Sequence, residues 1–144
     1  MWYWLLKYIF MGPLLAFLGR PKVEGLEYVP RSGAAILASN HLAVADSFYL
    51  PLVVRRRITC LAKAEYFTGK GLKGRLTAWF YTAAGQVPID RTSADAAQGA
   101  LAPAPRLLND GKPMGMYPEG PRSPDGRLYK GKSGLARLAL ETGV

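Results

Sequence analysis

The sequence predicts an α/β domain whose sheet is mostly parallel and flanked by helices. Three observations carry this. Apolar runs of strand length alternate along the chain with segments whose apolar residues recur at the helical period. Glycine, proline and polar clusters close most of the runs. The residues able to do chemistry, His41, Asp46, Arg91, Glu119 and Arg122, fall just after three of these runs, where open α/β sheets bind ligands. A chain of 144 residues that is 49% apolar has the material for one core.

The first element is the apolar run from Trp2 to Leu18, broken by Lys7 and by Gly12-Pro13. It falls slightly short of the roughly 20 residues that span a bilayer, and Pro13 predicts a kink. Trp2, Tyr3 and Trp4 crowd one end, and such rings favour the membrane–water boundary. No basic region precedes the run and no small-residue cleavage site follows it, unlike a cleaved signal. The expectation is a membrane-associating helix over residues 1–20, lying in or dipping into one leaflet. A helix that covers the core of a soluble domain is the alternative.

Lys22 to Tyr28 reads as a short edge strand and Ala34 to Ser39 as a buried one. Asp46 to Val54 reads as a helix, with Pro51 tolerated or kinking it, and Arg57 to Ala62 as the next strand. From Leu72 to Ala84 the apolar residues Leu72, Leu76, Trp79, Phe80 and Ala83 recur at helical spacing. Gln86 to Ile89 is a short strand. Ser93 is placed to cap a helix running toward Leu108, with Asp95 in its first turn and Pro103 and Pro105 expected to break or kink it. Pro113 to Tyr117 is a further strand, and Lys132 to Glu141 a helix closed by Thr142-Gly143. The alternation expects another strand after Val144, so the sequence reads as a piece of a longer protein.

A net charge of +9 points to a polyanionic partner. Arg55, Arg56, Arg57, Lys63, Lys70, Lys73 and Arg75 share one stretch with a single acid, Glu65. No aromatic RNP motif and no paired Cys and His ligands accompany them, which favours a lipid headgroup or phosphate over nucleic acid. The single cysteine, Cys60, excludes an internal disulfide and a zinc set. Its place in the run Ile58 to Leu61 reads as a buried structural thiol.

His41 is the only histidine, and Asp46 lies five residues on. A carboxylate beside an imidazole fixes its tautomer and steadies the imidazolium, as a general base requires. On a straight helix, residues five positions apart point about 140° apart and cannot touch. A working pair therefore needs a turn within Leu42 to Ala45. The same residues also fit a satisfied core histidine followed by an aspartate that caps the next helix. Arg91 ends one later strand, and Glu119 and Arg122 follow another. An arginine fork suits a phosphate, and Gly120 lets backbone approach a ligand.

Three ordered segments are Asn40-His41-xxxx-Asp46, Gly85-x-Val87-x-Ile89-Asp90-Arg91 and Tyr117-Pro118-Glu119-Gly120-x-Arg122-Ser123. They resemble the first three sequence blocks of the glycerolipid acyltransferases, the PlsC-like 1-acyl-glycerol-3-phosphate acyltransferase family. The resemblance runs from about Val23 to the end of the chain. It implies a glycerol-3-phosphate acyltransferase-like fold, with the catalytic domain over residues 21–144. It implies transfer of a fatty acyl group from acyl-CoA or acyl carrier protein to the free hydroxyl of 1-acylglycerol 3-phosphate, giving phosphatidate in phospholipid biosynthesis. His41 would be the general base and Asp46 its orienting partner, with no enzyme nucleophile, cofactor or metal. Arg91, Glu119, Gly120 and Arg122 would bind the glycerol-phosphate headgroup or build its site. The enzyme would work at the cytoplasmic face of the cell membrane, with the basic stretch against anionic lipid or the acyl carrier.

Two departures accompany the resemblance. Pro121 stands where the third block usually carries threonine, and the fourth block would begin after Val144. A non-catalytic protein that binds anionic lipid at a membrane surface is the competing reading, since charge and an apolar N-terminus suffice for it. Gly126 to Ser133 also matches the P-loop pattern, but a turn rather than a strand precedes it, and Leu128 and Tyr129 are bulky for a phosphate cradle.

Overall fold

The computed structural model describes residues 1–89 and 101–144. Four strands, β1 (Ala35–Ala38), β2 (Thr59–Lys63), β3 (Gln86–Ile89) and β4 (Pro113–Met116), form one parallel sheet in the order β1-β4-β2-β3. β1 pairs with β4 from Ala35↔Pro113 to Ala38↔Met116, so the two strands end side by side. The pairing continues one residue further, where Ser39 N–H donates to Met116 O at 3.1 Å.

Side chains alternate across the sheet and build two half-cores. On one face Ile36, Leu61, Met114 and Met116 pack with Ala104 and Leu108 of helix α5 (Pro103–Asn109) and Leu135 and Leu138 of helix α6 (Gly134–Thr142). On the other, Leu37 and Cys60 pack with Leu50 and Val53 of helix α3 (Asp46–Val53), and with Val54 and Ile58. Gly115 is what lets α3 approach the middle of the sheet. A methyl group there would lie 2.7 Å from Cys60 Sγ and 3.3 Å from Leu50 Cδ2.

The N-terminal segment is one helical run: α1 (Trp2–Leu5), a π-helical stretch (Leu6–Met11) and α2 (Gly12–Leu18). Pro13 lies in the first turn of α2, just past the wide turn in which Gly12 N–H donates to Lys7 O. Its inner side docks on α3 and the start of β2. Tyr3 Oη accepts from Ile58 N–H at 3.2 Å, Lys7 Nζ donates to the carbonyl of Val54 at the α3 C-terminus, and Tyr49 Oη reaches Leu15 O at 3.1 Å. Its outer side leaves Trp2, Tyr8, Ile9, Phe10, Leu14 and Phe17 exposed. Among the described residues, no helix is long and apolar enough to cross a membrane.

The structure corrects several expectations. Lys22 to Tyr28 is not an edge strand: Gly25 adopts φ 78° and a 3-10 turn follows over Leu26–Tyr28, which ends the extended run. Pro103 and Pro105 open a helix: both sit in the first turn of α5, where backbone N–H groups have no helical partner. The expected helix start at Ser93 lies outside the described residues. Helix α4 (Gly71–Ala83) forms as expected, yet Leu72, Leu76 and Trp79 face outward. They continue the apolar outer side of the N-terminal segment through an edge-on contact of Trp79 with Trp2, 5.5 Å between centroids.

Two outcomes follow. Gly115→Ala should destabilise the domain by roughly 1–3 kcal/mol in chemical denaturation, because the added methyl overpacks the contact with Cys60. Burial lowers the Lys7 ammonium from 10.5 to about 8. The folded chain then binds fewer protons than the unfolded one between those values, so stability should rise with pH across that window. Thermal melts of wild type and Lys7→Met over the window check this: the methionine variant should lose the rise.

Candidate active site

The sheet brings two of the three strand-end segments together. His41 lies three residues beyond β1, and Tyr117-Pro118-Glu119 leaves β4 directly beside it. Residues Leu42 to Ala45 form the turn that a working His41–Asp46 pair requires, closed by Asp46 N–H to Ala43 O at 3.2 Å. Asp46 is the first residue of α3 and does not cap it; the N-cap is Ala45. The carboxylate reaches back instead. Its Oδ2 accepts from Leu42 N–H at 2.7 Å and Ala43 N–H at 2.8 Å, and meets His41 Nδ1 at 3.1 Å.

This arrangement fixes the proton inventory. Burial alone would raise the Asp46 carboxyl, but hydrogen bonds from Ala43 N–H, His41 and Leu42 N–H outweigh it and hold the group below its ordinary value of 3.8. An ionised carboxylate only accepts, so in the neutral imidazole the proton sits on Nδ1 and the lone pair on Nε2. Nε2 has no hydrogen-bond partner among the described residues. The imidazole also stacks on the Tyr117 ring, 4.0 Å between centroids and 14° between planes.

The loop after β4 is knitted to both halves. Gly120 N–H closes a turn on Tyr117 O at 3.0 Å, and Ser123 N–H donates to the carbonyl of His41 at 2.8 Å. Gly120 sits at φ 86°, a conformation that favours glycine. Glu119 is buried: Oε2 accepts from Tyr129 N–H at 2.8 Å, while Oε1 has no partner among the described residues. Arg122 is exposed and forms no ion pair among the described residues. Arg91 lies outside the described residues.

Sequence reasoning missed one cation as a site residue. Lys132 N–H donates to Pro118 O at 2.9 Å, and the Lys132 ammonium lies 3.3 Å from where a side chain on Gly120 would begin. The P-loop pattern drew attention to this lysine for another reason. In the structure the segment folds back onto the block around Glu119 rather than wrapping a phosphate after a strand; β4 ends at Met116, well before Gly126. Among the described residues, no group of three or more His, Cys, Asp or Glu could hold a metal ion. Cys60 is a structural thiol, pushed up to about 12 by burial.

Comparison with known proteins gives the class. The Acyltransferase family model matches residues 20–144, and the chain belongs to that family. It is 33% identical over 137 residues to a 1-acyl-sn-glycerol-3-phosphate acyltransferase of Limnanthes douglasii, covering 94% of this chain and 46% of the relative. It is 32% identical over 123 residues to a chloroplastic 1-acyl-sn-glycerol-3-phosphate acyltransferase of Arabidopsis thaliana, covering 85% of this chain and 33% of the relative. It thus spans about a third to a half of the length of these relatives. The 1-acyl-sn-glycerophosphate acyltransferase PlsC of Thermotoga maritima shares the fold, with a TM-score of 0.67 at 22% identity over 99% of this chain and 68% of that one.

Asp46→Ala should lower stability at neutral pH by roughly 1–3 kcal/mol, since three donors lose a charged acceptor. The lowered carboxyl makes this contribution complete above the unfolded value of 3.8 and lost as pH falls through the folded one. The wild-type and variant melting temperatures should therefore converge in acid.

Proposed function

We propose that this chain carries the catalytic centre of an acyltransferase that moves a fatty acyl group from acyl-CoA or acyl carrier protein to the free hydroxyl of 1-acylglycerol 3-phosphate, giving phosphatidate. The observation that carries it is the pair at the end of β1: Asp46 holds His41 Nδ1, which leaves Nε2 as a lone-pair base. Membership of the family and the printed activity of the relatives supply the substrate class.

In this reading the acceptor hydroxyl gives its proton to His41 Nε2 as its oxygen attacks the thioester carbonyl. The C–O bond forms, the tetrahedral intermediate collapses with loss of the C–S bond, and the imidazolium returns the proton to the leaving thiolate. Asp46, kept ionised, steadies the imidazolium between these steps. No enzyme-bound acyl group is needed. Glu119 and Gly120 shape the loop beside the base. Arg122, Lys132 and Arg91 are the cations assigned to the phosphate, with guanidinium forks suited to two of its oxygens.

The N-terminal helix and α4 serve as the footing on a membrane. Trp2, Tyr8, Phe10, Phe17, Leu72, Leu76 and Trp79 make an outward apolar surface, and Lys70, Lys73 and Arg75 stand beside it to meet anionic headgroups at the cytoplasmic face. Residues 1–20 form this attachment and residues 21–144 the catalytic part.

The test is thiol release from acyl-CoA by the full-length protein in vesicles, with and without lysophosphatidate. Acceptor-dependent release should be present in wild type and fall at least about a hundredfold in His41→Ala. Release that ignores the acceptor would mark a thioesterase. Vesicle binding that weakens with salt, without any turnover, would favour the lipid-binding reading.

A further inference from the structure

We propose that Tyr117 is a positioning residue for His41: its ring holds the imidazole in one plane and favours the imidazolium as it forms. This rests on the reading of His41 as the general base. A single hydrogen bond at Nδ1 sets one axis of the ring but leaves rotation about that axis free. The stack on Tyr117, 4.0 Å between centroids and 14° between planes, removes that freedom.

The stack is built into the sheet. Tyr117 is the first residue after β4, and β4 is paired in register with β1, which leads to His41. Ser39 N–H to Met116 O at 3.1 Å and Ser123 N–H to His41 O at 2.8 Å hold the two segments together on either side of the rings. Neighbouring strands lie about 4.8 Å apart, a spacing that suits two parallel rings. The electron-rich face of a phenol attracts a cation within about 6 Å of its centroid. That attraction acts on the imidazolium and hardly at all on neutral imidazole, so it is stronger in the transition state than in the ground state. The hydroxyl is not needed for it. It makes no well-formed hydrogen bond among the described residues, Ser47 lies beside it, and burial pushes it up to about 12.

His41 is the only histidine of these 144 residues, and the imidazole signals that vanish in His41→Ala identify it. In ¹H–¹³C spectra of the full-length protein, the wild-type imidazole protons should be displaced upfield by the Tyr117 ring. Tyr117→Phe should keep both the displacement and kcat, within about threefold. Tyr117→Leu should lose the displacement and roughly 10- to 100-fold in kcat, with KM for both substrates unchanged. If the leucine variant fails to fold, Tyr117→Met, also without a ring, takes its place. The proposal is overturned if the ring-less variant keeps wild-type kcat, if phenylalanine falls as far as leucine, or if the His41 signals do not move. A wild type without acceptor-dependent turnover, or an active His41→Ala, would remove the acyltransferase reading and this role with it. The spectra alone would then still report the stack.

Discussion

One oxygen atom, Asp46 Oδ2, holds the first block in shape. It takes two backbone N–H groups, from Leu42 and Ala43, and the Nδ1 side of His41. Each of these donors would otherwise be left to water in a tight turn that has no regular ladder to satisfy it. The turn and the imidazole are therefore held by one acceptor. The chain cannot relax between His41 and Asp46 without losing the two backbone bonds, and the same movement would carry the carboxylate away from the imidazole. A neutral amide in place of the carboxylate would also offer a donor to Nδ1, and the choice of tautomer would be lost.

Helix α3 transmits that constraint outward. It begins at Asp46, and the N-terminal segment grips it at two further points. Tyr49 reaches the carbonyls of Leu15 and Gly19 where α2 ends, and Lys7 donates to Val54 O where α3 ends. A cation at a helix C-terminus is favourable for the exposed carbonyls there, and the rings of Tyr3, Trp4 and Tyr8 surround the same ammonium at 5.4–5.9 Å. The one charge in an apolar run thus points inward. The face left outside is free of charge, and the element that meets the lipid in the proposed function shares hydrogen bonds with the element that starts at the base's partner.

The alternation of strand and helix was legible because strand residues buried on both faces need apolar runs, and α3, α4 and α6 carry their own periodicity or end signals. Gly143, at φ 70°, closes α6 where a glycine after the last turn was expected. Lys22 to Tyr28 misled because its composition suits a strand, while the left-handed turn at Gly25 depends on what packs beside it. The start of α5 at Pro103 was not legible because a helix start cannot be located from proline alone; the same residue ends one helix and opens another. The pair His41–Asp46 was legible as two alternatives, and the turn between them brings the carboxylate to the imidazole rather than to the start of α3 as a cap. Lys132 was not legible as a site residue. Its nearness to Gly120 comes from a fold-back of the loop after β4, and no local spacing encodes a contact made by Lys132 N–H on Pro118 O.

Pro121 is the residue at which the third block departs from its usual form, and the loop shows why the fold tolerates it. The turn is closed by Gly120 N–H on Tyr117 O, and the loop is tied to the first block by Ser123 N–H on His41 O. Neither bond uses the N–H of residue 121, so proline removes a donor that this loop does not spend on itself. Its ring also limits φ beside a glycine already fixed at 86°, which narrows the unfolded ensemble more than the folded one. What is absent at this position is a hydroxyl able to reach a phosphate. In the proposed function that shifts the burden of headgroup recognition from a neutral donor to cations, to Arg122 on the same loop and to Lys132 folded against Gly120. Recognition by charge reaches further than a hydroxyl and is weakened by salt, so in the proposed function the acceptor would be met by charge before shape.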